Sequence, residues 1–584
     1  MQLLAGTNRI SHTLTFSLAA GLLSLPALAG TPGVLDHVPS DAQAVVVVPN
    51  FGGLLNDINS ANIMLGDQGS PMVMMVTSMV RGMPGINLEG SVAGVLTFEE
   101  DMEGEPEMVA LLPVSDFKAF SQGHRFEDGL YGMDMGGEML YFRQAGDGYI
   151  VMGDDSGLVR DFDAKGGNLA AHTKQLGGTG AQVAAGNDMF AYVNFSAFQD
   201  QIDMAMEEME SQAEMVEMMG GAEAVAGFDM MLHVMQTIAN DGSSMAFGMS
   251  FDPEAGISYD MGVQFKEGST SASYLQNAGN AGKYFDRVPS MDYFFASAFD
   301  MSGSGIQKLA TEYIDMLEEI DTTGMLDGKM DMIMGEVQGG IQVMGASDNV
   351  MGGLFTNMIQ YMEVKDADAY LEASRAMYAG MNEQLGELAE LGMKFDAAID
   401  SEPTQINGVD AYGYKFAMDM SEMEGMDDMG MAMGGMNPAM IMGMLFGADS
   451  GPSGYMAKVG NGIVSTMTKD AEFFTKASNA AAGKNTMKGD KSIAKTAAML
   501  PKNSIMQTYI AADHLMNTAG PMMMMFGVIP EFEPVEALAP MGFGMSANGG
   551  GVLFRAALPM ETIQAAMEMV PAEMFEDNDE DMDF

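Results

Sequence analysis

Apolar residues in this chain fall in short runs rather than in long periodic stretches. Val45–Val48, Val95–Phe98, Tyr141–Arg143, Ile150–Met152 and Ser258–Phe265 carry β-branched or aromatic side chains between turn residues, which predicts strands. Between strand pairs lie helix starts opened by a capping residue. Examples are Ser115-Asp-Phe-Lys-Ala-Phe120, Asp155-Ser-Gly-Leu-Val159, Asp366-Ala-Asp-Ala-Tyr-Leu371 and Asp470-Ala-Glu-Phe-Phe474. Hairpin-like spacing of the strands predicts mostly antiparallel sheet with helices packed on one face, an α+β fold.

These blocks recur in the same order. Val38-Pro-Ser-Asp-Ala leads into Val45–Val48 and then Asn50-Phe-Gly-Gly-Leu-Leu55; Val288-Pro-Ser leads into a strand and then Asp300-Met-Ser-Gly-Ser-Gly. Gly146-Asp-Gly-Tyr-Ile-Val151 is matched by Gly460-Asn-Gly-Ile-Val464, and Phe247-Gly-Met-Ser250 by Phe543-Gly-Met-Ser546. Ordered self-similarity implies duplication. It predicts one α+β domain over 30–285 and a second over 286–570. The second half is longer where a Met-rich tract interrupts it, so a hairpin insertion is expected near 418–450. The first half is longer over another Met-rich tract, Met204 to Met235.

Near the N-terminus, Arg9 precedes an apolar run from Leu14 to Leu25 and then Pro26-Ala-Leu-Ala29. That order predicts a signal peptide over 1–29 and an exported chain, periplasmic or extracellular. Outside it, no run approaches the roughly 18 apolar residues of a membrane span. There is no Cys, which excludes disulfides and thiolate metal sites. The 81 acidic and 26 basic residues give a net charge of −55, which repels nucleic acid and associates weakly with cations. The residues 571–584 are expected to form a disordered acidic tail. The Pro-led opening resembles that of a family of exported bacterial proteins of unknown function, whose repeated α+β domains open with a Leu/Val-Pro-x-Asp turn and a buried strand. The resemblance implies secretion and duplication and brings no site residues.

Methionine occurs 68 times. Its thioether is a soft ligand, so a chain without Cys could bind copper(I) or silver through Met and His. Met426, Met429 and Met433 share one face if helical, and Met230 with His233 form an i, i+3 pair; these are the candidate metal residues. The competing reading makes the Met tracts core, or adaptable surfaces for a protein or apolar ligand. No H-E-x-x-H, G-x-S-x-G or P-loop pattern occurs, so catalytic and cofactor residues are assigned to none. The chain therefore reads as a non-enzymatic exported binding or envelope component. A Met-based copper(I) or silver binder is the alternative, and a hydrolase of unrecognised type comes third.

Overall fold

The computed structural model describes residues 32–64, 71–98, 106–135, 137–199, 201–204, 231–276, 279–320, 333–346, 355–385, 394–419, 451–525 and 531–569, with single positions 206, 207, 209, 228 and 446. The expected signal peptide, the acidic tail and most of the Met-rich insertion near 418–450 lie outside the described residues. Two compact units divide the chain. The first contains the described residues before 215, then Met231–Ser273 and, from the far end of the chain, Asn548–Arg555; the second contains Tyr274–Ala547 and the residues from Ala556 onward.

The first unit holds β1 (Ala44–Val48), β2 (Val92–Thr97), β3 (Glu107–Pro113), β4 (Arg125–Glu127), β5 (Leu130–Met135), β6 (Glu138–Gln144), β7 (Tyr149–Gly153), β8 (Met189–Asn194), β9 (Gly242–Asp252) and β10 (Gly256–Phe265). Every pairing is antiparallel, and across the sheet they run β10-β9-β8-β1-β2-β3-β7-β6-β5-β4. Its helices are α1 (Phe51–Met64), α2 (Pro71–Gly82), α3 (Phe117–Ser121), α4 (Ser156–Asp161), α5 (Leu169–Gly186) and α6 over 231–241. The caps explain where several begin. Asp116 accepts from the Ala119 N–H, and Asp155 from Gly157 and Leu158, satisfying donors that a first helical turn leaves free.

The main core lies on one face of this sheet. Val45, Val47, Leu111, Val151 and Phe190 pack there against Leu35, Val159, Leu176 and Val183 from the turn Gly33–His37, α4 and α5. A smaller cluster of Phe120, Phe142 and Ile150, with Tyr131 and Phe117, fills the opposite face beside α3. Two buried polar networks tie the elements together. His172 Nε2 lies 2.9 Å from the Val38 carbonyl, which can only accept, so Nε2–H donates to it, and Nδ1 is hydrogen-bonded to the Tyr192 hydroxyl at 2.5 Å. Burial pushes that hydroxyl well above the ordinary tyrosine range. Asp260, on β10 beneath α5, accepts from Arg555 Nε at 2.6 Å, Arg555 Nη2 at 2.5 Å and Asn187 Nδ2 at 2.7 Å.

The second unit holds β11 (Tyr293–Asp300), β12 (Val337–Gly345), β13 (Met358–Val364), β14 (Lys394–Ile399), β15 (Thr404–Ile406), β16 (Val409–Asp419), β17 (Ser453–Val459), β18 (Gly462–Thr466), β19 (Met506–Ile510) and β20 (Met541–Asn548). The order is β20-β19-β11-β12-β13-β18-β17-β16, again antiparallel, with β15 and β14 both on β16. Taken in chain order, these repeat the pairings of the first unit apart from β9–β10, and β14 has no counterpart there. Helices α7 (Ser304–Ile320), α8 (Ala367–Leu385), α9 (Ala471–Ala481) and α10 (Lys491–Met499) follow. Phe474, Ala477, Ala481 and Ile493 from α9 and α10 pack with Ile341, Tyr361, Val464 and Tyr509. On the other face Leu371 and Ala367 of α8 pack with Met362, Val364 and Ile463. The fold is α+β with antiparallel sheet, as the sequence predicts, but helices lie on both faces rather than one, because alternate strand residues such as Ile150 and Val151 are both apolar and each face needs a cover. Among the described residues no helix is long and apolar enough to cross a membrane.

Asp260 is fully buried, and Arg555 is the cation that meets it. Removing one member of such a pair strands the other, at a cost of about 3–5 kcal/mol. Arg555→Met should therefore lower unfolding stability by that amount in urea titration. A loss below about 1 kcal/mol, the scale of an exposed pair, would show that the clamp is not structural.

Candidate functional site

The strand Phe247-Gly248-Met249 places its smallest residue where a core strand normally places its largest. Helix α5 crosses β9 and β10 so closely that a Cβ on Gly248 would stand 2.8 Å from Val183 Cγ1 and 2.4 Å from Asn187 Nδ2; one on Gly262 would stand 2.7 Å from Thr179 Cγ2. Only hydrogen fits on that side. Strand residues alternate faces, so the bulk goes to the other side. Phe247 and Met249 point there, opposite Met261 and Tyr259 of β10 in register. On the other flank Ala191 and Met189 of β8 stand opposite Phe247 and Met249.

The result is an outward apolar strip across three strands. Phe247 is 42% exposed, and Tyr259 and Met261 are each 44% exposed. Scattered exposed apolar side chains are ordinary, but adjoining ones in register mark contact surfaces. The second unit repeats the inversion. A Cβ on Gly542 would meet Thr496 Cγ2 of α10 at 2.4 Å, and Met541, Phe543 and Met545 lie on the other side of β20, half-buried.

Two helices of the first unit also expose methionine. Met74, Met75 and Met79 are exposed on α2, which carries no acidic residue. On α6, Met231, Val234 and Met235 are exposed, and the metal candidate His233 stands exposed among them. The other metal candidates, Met230, Met426, Met429 and Met433, lie outside the described residues. Among the described residues no group of three or more His, Asp or Glu is placed to hold a metal ion.

Acidic groups border the strip. Asp188, next to Met189, accepts the Phe251 N–H at 3.0 Å, and burial raises its carboxyl above the usual range. Asp57 of α1 is buried, its Oδ2 has no hydrogen-bond partner, and burial together with the Asp188 charge pushes it up to about 9. At neutral pH Asp57 thus keeps its proton, since burial disfavours the charged form and the Asp188 charge adds to it.

In the sequence the strip is marked by the repeated Phe-Gly-Met-Ser block, which on its own is a trace of duplication. The signal of a surface was the alternation of glycine with large apolar residues. Compared with known proteins, the chain matches no family model, no curated protein and no solved structure.

A carboxyl at about 9 in the fold, against 3.8 ordinarily, favours the folded state at low pH and opposes it increasingly as pH climbs from about 4 to about 9. Asp57→Asn should therefore raise Tm at pH 9, with the gap to wild type closing as pH falls toward 4. The gain is the penalty of ionising that buried carboxyl, which the neutral amide never meets. Parallel Tm–pH curves for the two proteins would exclude the assignment.

Proposed function

We propose that this chain is an exported, non-enzymatic binding protein built by duplication of one α+β unit, and that the first unit engages an apolar partner through the strip of Phe247, Met249, Tyr259 and Met261. The exposure of Phe247, Tyr259 and Met261, in register with half-buried Met249 beside them, carries the reading. Methionine suits such a surface because its unbranched thioether repacks at little cost around different shapes. The charge of −55 supports the same role, since mutual repulsion keeps chains with an apolar face from associating with each other. Export rests on the pattern over 1–29, and duplication on the shared strand order of the two units and the repeated openings that resemble the exported family.

A neutral solvatochromic dye such as Nile red reports the strip without being repelled by the acidic surface. Wild type should bind it, and Phe247→Ser with Met261→Ser should lose at least about tenfold in affinity, roughly the 1.4 kcal/mol of partial burial those side chains supply. Tm should stay within the small range of surface substitutions, since neither residue packs in a core. Unchanged dye affinity in a folded double variant refutes the reading.

A further inference from the structure

Arg375 lies on the inward side of α8, a turn beyond the buried Leu371 and a turn before Tyr378. Its guanidinium carbon stands 4.5 Å from the centre of the Tyr412 ring on β16. Two of its nitrogens, Nε and Nη2, are closed to water and have no hydrogen-bond partner. The other partly buried arginines are satisfied. Arg143 Nε donates to the Val159 carbonyl at 2.8 Å, Arg287 Nη1 to the Ala481 carbonyl at 3.0 Å, and Arg555 to Asp260.

Carboxylates are abundant in this chain, yet none is supplied to Arg375 among the described residues. Those nearby on α8 are engaged or turned outward. Asp366 accepts the N–H groups of Asp368 and Ala369, Asp368 pairs with Lys458 at 2.7 Å, and Glu372 is exposed. Nor does the fold need a cation here. In the corresponding place of the first unit, between α3 and β5, the space is filled by Phe117, Phe120 and Phe142 stacked around Tyr131.

Nε–H and Nη2–H form one edge of the guanidinium, with two parallel donors spaced for two oxygens of one group. We propose that Arg375 is the anchor of an oxyanion site in the second unit. It takes the two oxygens of a carboxylate or phosphate group side-on while Tyr412 stacks on the guanidinium face. Tyr412 covers one face of the guanidinium, and Met456 stands opposite Tyr412 in register on β17, so a small ligand fits better than a polymer. The edge is shut from water, so the anion arrives as α8 opens and holds the helix closed once bound.

Thermal unfolding followed by circular dichroism tests this, with sodium acetate and sodium phosphate as probes and sodium chloride at equal ionic strength as the control. Wild type should show a saturable rise in Tm with acetate, phosphate or both, beyond the chloride effect. Response to one probe alone identifies carboxylate or phosphate as the source. Arg375→Met should abolish the saturable part, and Arg375→Lys should weaken it at least tenfold, since an ammonium cannot present the fork. Hydrogen exchange on wild type reads the site without any substitution: the effective anion should slow exchange across Ala367–Leu385 more than elsewhere. No response beyond chloride, an equal response in Arg375→Met, or protection that spares α8 overturns the proposal.

Discussion

A helix laid on strands whose inward side chains have been reduced to hydrogen is the constraint from which the surface follows. Helix α5 needs Gly248 and Gly262 beneath it, and α10 needs Gly542. A strand with hydrogen on one side can supply apolar bulk only on the other. Phe247, Met249, Tyr259 and Met261 are thus displaced outward by the same packing that closes the core. Relieving the exposure by moving bulk inward would push α5 off the sheet, because a Cβ has no room there. Core and surface are in this way a single solution, and methionine softens it by presenting apolar area without a rigid shape.

The polar interior follows a complementary economy of cations. With 26 basic residues against 81 acidic ones, a buried cation is scarce, and where one occurs it is placed. Arg555 closes on Asp260, and Arg143 ties β6 to the carbonyls of Val159 and Phe162. His172 does similar work, joining Val38 to Tyr192 through its two ring nitrogens. Against that background Arg375, stacked on Tyr412 with one edge unclaimed, stands apart.

Much of the architecture was legible in the sequence because it is local. Val45–Val48 is most of β1, Ile150–Met152 lies in β7, and Asp155 and Asp470 cap the helices they were expected to open. The helix after β3 takes its cap from Asp116, one residue beyond Ser115, a distinction that depends on backbone angles and not on composition. The candidate surface was only half legible. Alternation in Phe-Gly-Met-Ser announces two unlike faces, but which one meets a helix depends on where α5 returns in the chain. Arg375 gave no signal, since a cation inside a helical pattern reads as solvated until its pairing is known. The Asp260–Arg555 pair spans 295 residues and could not be inferred from either sequence neighbourhood.

The assignment of Asn548–Arg555 to the first unit has a consequence for how the molecule is made. A chain emerging from its N-terminus brings Asp260 out long before Arg555, and that carboxylate waits without its cation while nearly the whole second unit is synthesised. The first unit can reach its final form only once Arg555 has been made.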